Sequence, residues 1–328
     1  MITVIHDNLG YSFVKVARLL DRGLRRVGYT AVSLIPLHGV YYVPDGLAVV
    51  VYDTKLYERR HRIVERLVEA KRVLWLDSPA SPSSLDPRVY ANSCHVTTLP
   101  YWYREYRRHG IPVSGWIPRP VDYDTAVKVA ESPREELCRD LWAKYGRYIL
   151  TVGSDNVFMP SRPPRKGLDA YDRLCEEIKL KHNIRCLYAG NWSLRNAVKV
   201  SGVGGLSEYE LLRLMRCSEV FAWTSRGEGF GLPPIEAMSV GSLVVHSNAP
   251  FNELVEGIKF NYTEEIDAWC PEVGFPFRLF DYNIRDLVDA VDYALSMPED
   301  EKEELRIKAT LTRDLYRPDL VALALTQV

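Results

Sequence analysis

The chain has 328 residues, 47% of them hydrophobic, and a formal net charge of −1. That is enough apolar material for two cores, and too little charge to draw nucleic acid or acidic lipid by field alone. The six cysteines, at 94, 138, 175, 186, 217 and 270, form no Cys-x-x-Cys pair, a pattern that favours reduced core thiols in a soluble cytosolic protein over a disulfide framework. No apolar run reaches the length of a membrane span, and the opening Met1-Ile-Thr-Val-Ile-His-Asp7 is already strand-like, so neither an anchor nor a signal peptide is expected.

In chain order, residues 2–5 read as a strand and the turn Asp7-Asn-Leu-Gly10 follows. Residues 14–27 are helical by the spacing of Val14, Ala17, Leu20 and Leu24. Short apolar strands are expected at 31–35, 47–52, 72–76 and 95–99, with a charge-rich amphipathic helix over 57–70. The run Tyr101-Trp-Tyr-Arg-Glu-Tyr-Arg-Arg-His109 mixes aromatic and basic residues. A grip on a membrane surface or stacking on nucleic acid is one reading. The near-neutral chain favours the other, a helix with aromatics inward and arginines outward. Pro112 to Asp122 carries three prolines and reads as the exit from a first domain. A second alternation follows, with strands at 148–152, 185–189, 220–224 and 242–246. Helices are expected at 168–179, 208–216, 234–240, 287–295, 301–315 and after Pro318. Strands alternating with helices imply parallel, doubly wound sheets. The expected α/β architecture is two Rossmann-like domains facing a cleft, over 1–122 and 123–311, with a tail over 312–328 packing back on the first.

The most informative stretch is Ser225-Arg-Gly-Glu-Gly-Phe-Gly-Leu-Pro-Pro-Ile-Glu-Ala-Met-Ser-Val-Gly241, which holds Glu228 and Glu236 with seven residues between them. It reads as a glycine-rich turn entering a helix, with prolines where helix N–H groups lack acceptors. Such a junction directs backbone N–H groups and the positive helix end at an anion, while carboxylates suit sugar hydroxyls. Glu228 and Glu236 as a hydrolase pair would have to straddle one bond; Glu236 sits instead on the helix expected to carry a nucleotide. Asp122-Tyr-Asp124 has the spacing of a metal-binding pair, but two acids make a poor cage.

Three segments in register resemble one family. Ile117-Pro-Arg-Pro-Val-Asp122 resembles an Ile-Pro-Asn-Gly-Val-Asp turn. Val152-Gly-Ser with Arg165-Lys-Gly-Leu-Asp169 resembles a Gly-Arg…Lys-Gly segment. The run from Glu228 to Glu236, with Asn252-Glu-Leu-Val255 after it, resembles the E-x7-E signature. Together they resemble retaining glycosyltransferases of the GT-B fold. The resemblance implies that Phe230, Gly231 and Leu232 offer N–H groups to a donor diphosphate. Glu236 would bind the ribose hydroxyls, Glu228 would face the transferred sugar, and Lys166 would neutralise the departing diphosphate. Donor contacts are further implied at Gly10 and Ser154. Ser154 stands where relatives carry arginine, so Arg162 is the expected substitute, with Arg165 as the alternative. Relatives often carry a histidine after a mid-domain strand; here Asp77 occupies that place, as a charge-stabilising group or as the start of the Ser-Pro turn. His95 reads as a core histidine, and His246 has no assigned role.

The implied partners are a nucleotide-sugar donor and a carbohydrate, lipid-linked or protein acceptor, without nucleic acid, essential metal or other cofactor. Contact with a membrane surface has no support beyond the 101–109 run. Rival readings are a degenerate protein that binds nucleotide sugar without turnover and a nucleotide-sugar epimerase. A phosphorylase would need a longer chain.

Overall fold

Residues 2–6, 11–29, 32–36, 48–52, 73–91, 94–153, 163–202, 204–270 and 275–328 are described by the computed structural model. Two compact units emerge. The first comprises Met1–Asp122, Glu228–Leu232 and Asp314–Val328, and the second Tyr123–Gly227 and Pro233–Arg313.

In the first unit, β1 (Ile2–His6), β2 (Val32–Pro36), β3 (Ala48–Tyr52), β4 (Val73–Leu76), β5 (Cys94–Thr97) and β6 (Gly115–Trp116) form one sheet. Its order is β2-β1-β3-β4-β5-β6, parallel throughout. Helix α1 (Tyr11–Arg26) turns Val16, Ala17, Leu20 and Leu24 onto a core containing Val4, Val49, Val51 and Trp75. Helix α2 (Pro100–Arg108) buries Tyr101, Trp102 and Tyr106 while Arg104, Arg107 and Arg108 stay exposed, the arrangement that its composition favoured. The predicted helix over 57–70 lies outside the described residues.

The second unit opens with α3 (Tyr123–Glu131) and α4 (Arg134–Tyr145), two helices that the sequence reading did not pick out. Its parallel sheet has the order β12-β11-β10-β7-β8-β9. The strands are β7 (Tyr148–Val152), β8 (Arg185–Ala189), β9 (Val198–Ser201), β10 (Val220–Trp223), β11 (Val244–Ser247) and β12 (Ile258–Phe260). Nearly continuous apolar runs such as Val220-Phe-Ala-Trp223 are buried whole, as expected of a parallel sheet covered on both faces. Helices α5 (Leu168–His182), α6 (Glu208–Cys217), α7 (Leu232–Ser239), α8 (Ile284–Ser296) and α9 (Glu299–Leu311) complete the alternation. Ser207 and Glu210 close a reciprocal capping box at the start of α6. An antiparallel hairpin, β13 (Glu264–Cys270) with β14 (Phe275–Asp281), was also missed, although Phe275, Phe277 and Leu279 alternate inward with period two.

The tail helix α10 (Pro318–Thr326) contributes Val321, Ala322 and Leu325 to the core of the first unit. The segment Glu228–Leu232, which the sequence assigned to the second domain, also belongs to the first unit. Thr98 Oγ1 donates to Gly229 O (2.9 Å) and Trp102 Nε1 to Glu228 O (3.1 Å), and these bonds hold it there.

The cysteine expectation fails at one pair. Cys138 of α4 and Cys217 at the end of α6 are joined in a buried disulfide across 79 residues of sequence. Cys94, Cys175 and Cys186 are free. A pair that far apart leaves no local spacing signal, because only the packing of α4 against α6 brings it together. With this correction the cysteines no longer argue for a reducing compartment. Among the described residues, no helix is long and apolar enough to cross a membrane. Replacing both Cys138 and Cys217 with alanine is expected to cost about 2–4 kcal/mol; urea unfolding under non-reducing conditions reads the loss, and added thiol should destabilise the wild type but not the variant.

Candidate functional site

The strand–turn–helix unit is built as its glycines and prolines require. β10 runs into the turn at 224–231, and α7 starts at Leu232 with Pro233 and Pro234 in its first turn. Glu236 on α7 is 3% exposed and Glu228 in the turn 6%. Carboxylates held this far from water are costly unless engaged by polar partners.

Within the second unit the turn is stapled to the Lys-Gly segment. Arg226 N donates to Arg165 O (2.7 Å), Arg165 Nη1 to Gly227 O (2.8 Å) and Thr224 Oγ1 to Lys166 O (3.1 Å). Gly167 caps α5 at φ +66°, and a Cβ there would stand 1.8 Å from Thr224 O. Only glycine fits both constraints, which gives the Lys-Gly pair a physical reason. Tyr282 donates to the same Thr224 carbonyl at 2.5 Å. The Lys166 side chain runs beside Gly153 at the end of β7. Its ammonium stands 5.6 Å from the Trp223 ring centroid, a favourable seat for a cation on an indole face.

The residue that fixes this arrangement was missed. Arg226, 2% exposed, donates Nε to Asp281 (2.7 Å), Nη1 to Asp169 (2.8 Å) and Pro164 O (2.9 Å), and Nη2 to Asp169 (3.2 Å). Burial alone would lower its proton affinity, but Tyr282, Asp169 and Asp281 hold it above the ordinary value. Its signal was the one basic residue inside a glycine-rich turn, together with Asp169 in the Lys-Gly segment.

In the first unit Asp77 follows β4 and pairs with Arg119 Nε at 3.4 Å. Arg119 is 1% exposed, lies 4.2 Å from the Trp75 ring centroid and donates Nη2 to Trp75 O at 3.2 Å. Burial pulls its pKa down to about 10, against the opposing effect of Asp77. The carboxylate stands against Gly229, where a Cβ would come within 1.6 Å of Asp77 Oδ1. Phe230 packs edge-on to Tyr316, 6.3 Å between centroids. Arg119 was legible only as a departure, standing where the resembled turn has asparagine.

The remaining candidates separate. Gly10, Ser154 and Arg162 lie outside the described residues. Arg165 commits Nη1 to the turn. His95 is a buried core ring, edge-on to Tyr90 at 5.0 Å. Asp122 forms an ion pair with Arg22 at 3.1 Å, and no group of three or more His, Cys, Asp or Glu able to hold a metal occurs among the described residues. His246, fully buried in β11, shares a hydrogen bond of 2.8 Å between Nδ1 and Ser247 O; burial lowers its pKa to about 4.

Residues 156–261 match the family described as Glycosyl transferases group 1. The chain is a glycosyltransferase. Among viral proteins, this glycosyltransferase is 27% identical over 267 residues to a putative glycosyltransferase of a Sulfolobus islandicus filamentous virus, covering 80% of this chain and 71% of the relative. Among solved structures it is similar to sucrose-phosphate synthase from Thermosynechococcus elongatus. That match has a TM-score of 0.70 and 15% identity, covering 99% of this chain and 97% of the other. It is also similar to an Escherichia coli trehalose-6-phosphate protein solved with UDP-2-fluoro glucose. There the TM-score is 0.67 and the identity 12%, covering 100% and 99%. The glycosyltransferase has the GT-B fold, two Rossmann-like domains with parallel sheets.

Two outcomes follow from the geometry of the second unit. Arg226→Met leaves Asp169 and Asp281 unpaired, and since both are partly exposed the expected loss is about 2–3 kcal/mol, measured by urea unfolding. His246 is neutral when folded down to about pH 4, whereas unfolded histidine takes a proton near pH 6.5. Its contribution is therefore complete above pH 6.5 and is lost as pH falls towards 4, roughly 3 kcal/mol in all. Melting curves of His246→Gln should show a shallower decline across that window than the wild type.

Proposed function

We propose that the enzyme transfers a sugar from a nucleotide-diphosphate sugar to an acceptor hydroxyl with retention of anomeric configuration. The observation that carries this reading is the staple between the E-x7-E turn and the Lys-Gly segment, which fixes Lys166 over Trp223 at the start of α5. Nucleoside diphosphate gains negative charge as it departs, and a cation held in place beforehand lowers that barrier without reorganising at the moment of reaction. In this reading Lys166 supplies the counter-charge and the reaction needs no essential metal. Glu236 accepts from the ribose hydroxyls, and N–H groups of Phe230, Gly231 and Leu232 face the diphosphate at the opening of α7.

Glu228 and Asp77 act on the transferred sugar, where carboxylates favour an oxocarbenium-like centre. Arg119, the buried partner of Asp77, keeps that carboxylate against Gly229. The bond from the anomeric carbon to the diphosphate breaks, and the acceptor oxygen bonds to that carbon on the same face. The acceptor proton passes to the released diphosphate oxygen, so the chain supplies neither a nucleophile nor a separate base. The acceptor is a carbohydrate, a lipid-linked sugar or a protein hydroxyl.

The test is a panel of UDP-, GDP- and ADP-sugars, read by thermal stabilisation and by release of free nucleoside diphosphate. One nucleotide should stabilise the protein and be released slowly, and EDTA should leave the rate unchanged. Stabilisation without release would favour a binding protein, and loss of the donor without transfer or release an epimerase. Glu236→Ala should weaken donor binding about 10- to 100-fold. Lys166→Ala should mainly lower turnover, by about 100- to 1,000-fold. Wild-type kinetics in both variants would remove these residues from the site.

A further inference from the structure

The second unit holds a cavity of about 180 Å3, lined by Glu131 of α3, Arg216 of α6, Glu303, Arg306 and Thr310 of α9, and Arg313 beyond it. It lies at the C-terminal end of α7. Arg216 Nη1 donates to Gly241 O (2.9 Å) and Arg313 Nη1 to Ser239 O (3.4 Å), so the two guanidiniums serve the negative end of that helix.

Each arginine keeps a further N–H group turned away from solvent. Arg216 Nε, Arg306 Nη2 and Arg313 Nε are all buried and have no hydrogen-bond partner among the described residues. Arg306 is only 2% exposed, and its Nη1 is taken by Glu299 (2.5 Å) and Glu303 (3.4 Å). A buried donor left without an acceptor is costly, and more so when it is charged. All three donors belong to arginines that line this one cavity, so the set as a whole lacks an acceptor. The wall carboxylates belong to the exposed residues Glu131 and Glu303; Glu299 and Glu303 both engage Arg306, and among the described residues no carboxylate is hydrogen-bonded to Arg216 or Arg313. Burial lowers the proton affinity of Arg216, and the neighbouring Arg306 lowers it further against the pull of Glu303. One water accepts two hydrogen bonds at most, whereas a tetrahedral oxyanion offers several acceptor oxygens and answers guanidinium charge.

We propose that this cavity binds a small phosphate oxyanion, free or as a soluble phosphomonoester, on Arg216, Arg306 and Arg313. The site is separate from the E-x7-E turn and does not depend on the proposed donor. Because Arg216 and Arg313 also serve the carbonyls at the end of α7, an occupant also steadies the helix that carries Glu236.

The experiment is calorimetric titration of the full chain with inorganic phosphate and with glycerol 3-phosphate, chloride balancing ionic strength. Saturable binding of one anion per chain is expected, with a rise of several degrees in melting temperature at saturation. The tighter of the two compounds identifies the form that the site takes. Arg313→Gln should weaken binding at least tenfold, while Lys166→Ala should leave it unchanged. Thr310→Glu puts a tethered carboxylate into the cavity, so this variant should melt higher than the wild type in phosphate-free buffer and ignore added phosphate. A phosphate response no greater than that of chloride would overturn the proposal. So would a full response in Thr310→Glu, or one abolished by Lys166→Ala.

Discussion

The second unit depends on one buried cation. Arg226 ties three segments that are far apart in the chain: the signature turn it belongs to, Asp169 at the start of α5, and Asp281 at the end of β14. A guanidinium fork suits this task, because its donors leave in fixed directions and each can hold a different element. Burying it is favourable only while all of those acceptors are present. The result is a turn whose backbone is tied by hydrogen bonds to the segment that carries Lys166.

The first unit solves a similar problem with different parts. Arg119 is sandwiched under Asp77 and against the Trp75 ring, so the carboxylate is backed by a charge that has no access to solvent. Gly229 then meets that carboxylate where any side chain would clash. Together with the donations from Thr98 and Trp102, this explains why five residues of the signature run belong to the first unit. Neighbours along the chain are thus held by two separate sets of contacts, one set on each side of the Gly227–Glu228 bond.

The disulfide and the arginine-lined cavity both arise where α6 meets its neighbours. Cys217 and Arg216 are adjacent in sequence; the first is bonded to Cys138 of α4 and the second lines the space beside α9. Covalent closure here restrains the unfolded chain over a long loop, and it does so in a region rich in like charge. Burial first, then Arg306, lowers the pKa of Arg134 to about 10, against the opposing pull of Glu219, with which it is ion-paired.

The sequence by itself determined the alternation of strands and helices, the E-x7-E turn, the Lys-Gly segment and the inward face of α2. These features are written in periods of two and 3.6 residues and in glycine and proline placed within a few positions of each other. The β13–β14 hairpin was also legible, in the alternation of Phe275, Phe277 and Leu279, and was passed over. Only the tertiary structure decided the partners of Arg226, 55 and 57 residues away, and the bond from Thr98 to Gly229 across 131 residues. The same holds for the join of Cys138 to Cys217 and the placing of Asp77 on Arg119. Local backbone preferences fix which element forms, but a charge or a thiol finds its partner only once distant elements have packed, and nothing in the residues nearby records that meeting.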